Sequence, residues 1–201
     1  MSLSLLWLVY QTLKYKIEGM QRKQVLFDFY KVINVLLVTI SVTICSMLML
    51  LDLPGVELLE TNPNWLLIWL VSWSIKRTVW QGAIAGLAIG WIYDGISLSS
   101  PSHAASFMFV GILTSGLQKQ KYLGEDFISV AFVVFFTTVC AESIYAWQYA
   151  KEYGLGILDI FPKYREAAIV SAIITSLWSP AFYYPFNSIT EKINMRVKTI
   201  R

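Results

Sequence analysis

The sequence predicts an all-α integral membrane protein with six transmembrane helices and both termini in the cytoplasm. Three observations carry that reading. Hydrophobic residues make up 56% of the 201-residue chain and charged residues only 14%, where an average soluble domain carries about a quarter charged residues. The apolar residues fall into six runs, each set off by charges or turn-forming residues. The basic residues are concentrated in alternate connections between those runs. The expected organisation is a cytoplasmic or interfacial arm over 1–31, a six-helix membrane domain over 32–188 and a basic cytoplasmic tail over 189–201.

The amino-terminal stretch LSLLWLVYQTL (3–13) is apolar but short, and Lys14 and Lys16 follow it rather than precede it, which is the wrong order for a cleavable signal peptide. Residues 2–17 read as an interfacial helix, with Trp7 and Tyr10 at headgroup depth and the two lysines toward anionic lipid. Met20 offers an alternative start. The first span is VINVLLVTISVTICSMLMLL (32–51), which has no charge. The second, WLLIWLVSWSI (65–75), is short and reaches spanning length only if Pro63 starts it and Trp80 ends it. The third covers about 82–98 and the fourth about 103–117. The fifth, FISVAFVVFFTTVCAESIYAW (127–147), is strongly apolar except for Glu142. The sixth, AAIVSAIITSLWSPAFYYPF (167–186), carries Pro180 and Pro185. Strands are the poorer reading, because the β-branched runs are too long and do not alternate.

With six spans the termini share a side. That side receives 13 of the 16 basic residues: the arm (Lys14, Lys16, Arg22, Lys23, Lys31), Lys76 and Arg77, Lys119 and Lys121, and the tail (Lys192, Arg196, Lys198, Arg201). The other side keeps Lys151, Lys163 and Arg165, with the acidic Asp52, Glu57 and Glu60. The positive-inside rule therefore places both termini in the cytoplasm. On the outer side, the loop 151–166 holds the apolar cluster Ile157, Leu158, Ile160 and Phe161, which reads as an interfacial anchor or a partner contact.

Composition excludes several chemistries. A single histidine leaves neither a zinc site nor a histidine-based triad. Cys45 and Cys140 each lie within an apolar run and read as small buried hydrophobes. No nucleophile has a base beside it, and there is no phosphate loop, so the chain reads as non-enzymatic with no cofactor. The basic segments are short and juxtamembrane, which fits anionic lipid or a cytoplasmic protein rather than nucleic acid.

The stretch QGAIAGLAIGWIYDGISLS (81–99) carries the sharpest pattern. Gly82, Gly86 and Gly90 stand four apart and form one stripe on a helix. Such a stripe lets another helix approach closely, as an internal packing face or as an intermolecular one. Asp94 continues the spacing. A carboxylate in a span is costly and faces protein or water. Two roles stay open for Asp94: a cap on the turn GISLSSPS, or a member of an outer polar site with Glu142, His103 and Arg165. Arg165 is the candidate ion partner of Asp94.

Three signals in fixed order resemble a known family. A short acidic loop ends in Pro63-Asn64-Trp65, a basic Lys76–Arg77 turn follows, and then Gly82…Gly86-Leu87…Gly90…Asp94 precedes a turn of small residues. This resembles MreD, the membrane subunit of the bacterial rod-shape machinery, over about 32–186 and most densely over 61–99. The resemblance implies a non-enzymatic scaffold in the bacterial plasma (inner) membrane. Its implied partners are the bitopic protein MreC and, through it, the RodA glycosyltransferase, a class B penicillin-binding transpeptidase and, indirectly, MreB filaments. It also implies a fold similar to the S components of energy-coupling-factor vitamin transporters, with Asp94 and the Pro63–Trp65 turn shaping the groove where a partner docks. An S component itself is the alternative function, although span one is bulky and lacks the alanine spacing of such subunits. The partner-binding or structural candidates are Pro63, Trp65, Gly82, Gly86, Gly90, Asp94, Glu142 and Arg165.

Overall fold

The computed structural model of the chain describes residues 3–51, 55–57, 59, 61–117 and 127–200, with side chains described throughout except at 3–23, 157–161, 163, 198 and 200. The contacts expected of Trp7, Tyr10, Lys14 and Lys16, the charges of Asp52, Glu60, Lys119, Lys121 and Lys163, and the cluster Ile157, Leu158, Ile160 and Phe161 lie outside these descriptions. Among the described residues there are six helices and no strand: α1 (Leu3–Leu50), α2 (Trp65–Ser74), α3 (Val79–Ser97), α4 (Ala104–Leu117), α5 (Phe127–Glu152) and α6 (Ile157–Ile200). Three segments are long and apolar enough to cross a membrane: Gln24–Leu50, Phe127–Glu152 and Tyr164–Val197. At 1.5 Å per residue the 10 residues of α2 and the 14 of α4 fall short of a hydrocarbon core about 30 Å thick. These two apolar helices lie within the bundle without the length of full spans.

Two ends differ from the sequence expectation. The helix containing the first span begins at Leu3 and runs unbroken through residues 17–32. No proline and only one glycine, Gly19, interrupts that stretch, so nothing in the backbone ends the helix. The second span does not extend to Trp80. It stops at Ser74, and Thr78 opens α3 with an extended backbone and a capping box. The Thr78 N–H donates to Gln81 Oε1 at 3.2 Å, and the Gln81 N–H donates to Thr78 Oγ1 at 3.5 Å. These bonds satisfy the first orphan donors of a new helix, and Trp80 becomes an exposed residue of α3.

The chain divides into two compact units, Met1–Ile40 with Ser188–Arg201, and Ser41–Asn187. The first unit presents Val25, Phe29, Val32, Val35 and Leu36 at its surface. A row of exposed apolar side chains of this kind suits lipid rather than water.

The second unit is built around α2. A helix that is apolar on every side has to be enclosed, and Leu66, Leu67, Ile68, Leu70 and Val71 are fully buried. The indole N–H of Trp69 donates to Ser41 Oγ at 2.8 Å. Its ring lies 5.9 Å from Trp73 and 6.3 Å from Phe186. Cys45 is buried and Cys140 half-buried, both as free thiols. Helix α6 continues through Pro162, Pro180 and Pro185. Pro180 has no N–H to offer the carbonyl of Ser176. The Ser179 hydroxyl donates to that carbonyl instead, at 2.8 Å, which is one way a membrane helix tolerates proline.

Candidate functional site

The glycine stripe brings two helix backbones into close contact. Gly82, Gly86 and Gly90 are buried on α3 and face the backbone of α4. A Cβ built on Gly86 would lie 2.7 Å from the carbonyl carbon of Phe107 and 2.8 Å from Cα of Met108. On Gly90 it would lie 2.8 Å from the nitrogen of Ala104, and on Gly82 it would strike Ser115 Oγ and the carbonyl of Gly111. Gly111 answers from α4, where a Cβ would overlap the carbonyl of Gly82. The stripe is thus covered from within the chain.

Asp94 holds the corner where α3 turns into α4. Its own carbonyl accepts the N–H of Leu98 at 2.9 Å, with Leu98 in the left-handed region at φ 50° to end α3. Its carboxylate reaches forward to the next helix. Oδ2 accepts the Ser102 hydroxyl at 2.6 Å, and Oδ1 accepts the His103 backbone N–H at 2.8 Å. His103 Nδ1 also lies 2.8 Å from Oδ1. Since the carbonyl of His103 accepts from Phe107 N–H, His103 sits at the N-cap of α4. Asp94 therefore supplies negative charge and acceptors where α4 has orphan N–H groups and a positive dipole end.

This corner is fastened to α5. The His103 ring stacks on Tyr145 with centroids 4.0 Å apart and planes 15° apart, and it meets Tyr93 at 4.4 Å. The Tyr145 hydroxyl donates to the Ser100 carbonyl at 3.3 Å, and the Ser100 hydroxyl donates to Glu152 Oε1 at 2.9 Å. The proposed Asp94–Arg165 ion pair is absent. The carboxylate is taken by groups eight and nine residues away in its own turn, so short chain closure wins over a distant guanidinium. Among the described residues Arg165 makes no ion pair. It lines a cavity of ≈320 Å³ between α5 and α6 with Glu142, Ala146, Tyr164 and Ile169.

Glu142 lines a second cavity as well, of ≈330 Å³, with Pro63, Asn64, Tyr93 and Ser171. The Pro63–Trp65 turn is pinned beside it. Asn64 Oδ1 accepts from Leu67 N–H at 3.0 Å to cap α2, and the Asn64 N–H donates to Thr175 Oγ1 on α6 at 3.1 Å. Trp65 packs on Trp178 at 5.8 Å. The eight candidate residues thus fall into three places: the glycine seam, the Asp94 corner, and the Glu142 cavities with Arg165 on one side and the Pro63 turn on the other. Tyr93 joins the last two, touching His103 and lining a Glu142 cavity.

Sequence reasoning missed Tyr93, Ser102, Tyr145 and Thr175 as members of the site. The only signal was spacing: Tyr145 follows Glu142 by three, and so shares its helix face. Asn64 was visible as part of a motif, and its residue type and position mark it as an N-cap. Among the described residues no group of three or more His, Cys, Asp and Glu side chains is placed to hold a metal ion.

A family model for the rod shape-determining protein MreD matches residues 30–187. The chain belongs to the MreD family. The match takes in α2 to α5, the membrane-length segments either side of them in large part, and every candidate residue from Pro63 to Arg165. No curated protein and no solved structure matches the chain. Membership of the MreD family, a membrane-protein family, gives the chain a role in determining rod shape.

Proposed function

We propose that this chain is a non-enzymatic scaffold of the cell-elongation complex, a multi-pass protein of the bacterial inner membrane with both termini in the cytoplasm. It links peptidoglycan synthesis to cytoplasmic filaments through an MreC-like bitopic partner. RodA-like glycosyltransferase and a class B penicillin-binding transpeptidase join through that partner, and MreB-like filaments indirectly. The observation that carries this reading is the family match across residues 30–187. The geometry is consistent with it: Asp94 and Asn64 cap helices and fasten corners, through the Asp94–His103 contact and the Asn64–Leu67 bond.

The test is co-purification in mild detergent from cells in which the chain carries an affinity tag. Capture of an MreC-like protein, together with loss of rod shape on depletion, is the expected result. Capture of transporter ATPase subunits or of a tightly bound vitamin would overturn the proposal in favour of an S component.

A further inference from the structure

The polar cavity of ≈330 Å³ is lined by Thr61, Asn62, Asn64, Tyr93, Glu142 and Ser171, with Met49, Pro63 and Ala167 completing its wall. Its size sits at the lower end of small-molecule sites, which run from about 300 Å³ upward. Among these groups Glu142 is the only one that carries charge. Its carboxylate lies on α5, whose other charged residues, Lys151 and Glu152, stand in the last turn, and among the described residues it has no cationic partner. Arg165 lines the cavity on the other side of Glu142 and makes no ion pair there. Glu142 is half-buried, and an ionised carboxylate partly withdrawn from water is favoured by a counter-charge or several donors. The Ser171 hydroxyl on the same wall is one available donor, while a carboxylate accepts about four hydrogen bonds.

The other lining residues include Tyr93, Thr61 and Asn64, each with a side-chain oxygen that can accept, and that of Asn64 so far accepts only from Leu67. A –NH₃⁺ group has three donors and no acceptor, so it can satisfy Glu142 and two of these oxygens together. The apolar wall of Met49, Pro63 and Ala167 suits a short alkyl stem. We propose that this cavity binds a primary organic ammonium ion, with Glu142 as its counter-charge. This does not depend on the scaffold reading, and either can fail alone.

The test follows thermal unfolding of the full chain in an uncharged detergent, titrated with n-butylammonium chloride. Tetramethylammonium chloride matches its charge without N–H donors, and 1-butanol matches its stem without charge. A saturable rise in the unfolding midpoint with n-butylammonium alone is expected. Glu142→Gln, which keeps the shape and removes the charge, should lose the rise. Ala167→Phe, which fills the cavity and leaves the carboxylate, should lose it too. An equal rise with tetramethylammonium, no saturable rise in the wild type, or a full response in either variant would overturn the proposal.

Discussion

Gly86 offers the sharpest test of how this bundle is held together. In Gly86→Ala the new methyl would overlap the Phe107 carbonyl oxygen and lie 2.7–2.8 Å from the Phe107 carbonyl carbon and the Met108 Cα, where carbon atoms need about 3.5 Å at optimal separation. The obstacle is main chain, so no side chain can swing aside, and α3 and α4 must move apart by more than half an ångström. Overpacking of this kind costs roughly 1–3 kcal/mol. Against it stands the helix-forming advantage of alanine, about 0.5–1 kcal/mol. The net expectation is a loss of ~1 kcal/mol, within about 0–2.5 kcal/mol. Gly95 lies on the same helix, and a Cβ there meets nothing within 4 Å. Gly95→Ala should therefore gain about 0.5–1 kcal/mol. The two variants then differ by about 2 kcal/mol, roughly thirtyfold in the folding equilibrium. Reversible unfolding in mixed micelles, followed by the fluorescence of the eight tryptophans, reads this directly. If Gly86→Ala proves as stable as Gly95→Ala, the seam does not hold α3 against α4 and the reasoning fails.

Three further expectations use the same unfolding assay. In double-mutant cycles Asp94→Ala should couple to His103→Ala by about 0.5–3 kcal/mol, and should add to Arg165→Ala within about 0.5 kcal/mol; coupling to Arg165 with none to His103 would contradict the corner described above. Thr175→Val leaves the buried N–H of Asn64 without an acceptor and should cost about 1–3 kcal/mol, with Thr175→Ser recovering most of it; equal losses in both would assign the effect to packing instead. Tyr145→Leu removes the ring stacked on His103 and should cost about 0.5–1.5 kcal/mol beyond lost area; that loss should vanish in a His103→Ala background.

How much of this was legible depends on how local the determining forces are. The glycine seam could be recognised as a close-packing surface, because four-residue spacing fixes one helix face whatever lies opposite. It could not be assigned to α4, since the stripe carries no information about which backbone comes to meet it. Asp94 could be recognised as costly in an apolar run and as a cap or a polar-site member. The choice of Ser102 and His103 over Arg165 needed the actual path of the turn, because carboxylates take whichever donor the chain delivers first. The shortness of the second apolar run was written in its residues, but its place at the centre of the second unit followed only from packing around it.

By itself, then, the sequence determined the all-helical character, the six apolar segments and the resemblance to MreD, because these rest on composition and on periodicity along the chain. The tertiary structure decided what those properties leave free. It joined residues 3–50 into one helix, and it ended α2 at Ser74. It also closed the Asp94 corner on its own turn and put Glu142 between two cavities, beside residues from four other parts of the chain. Periodicity tells a residue which face it occupies; only the folded chain tells that face what it touches.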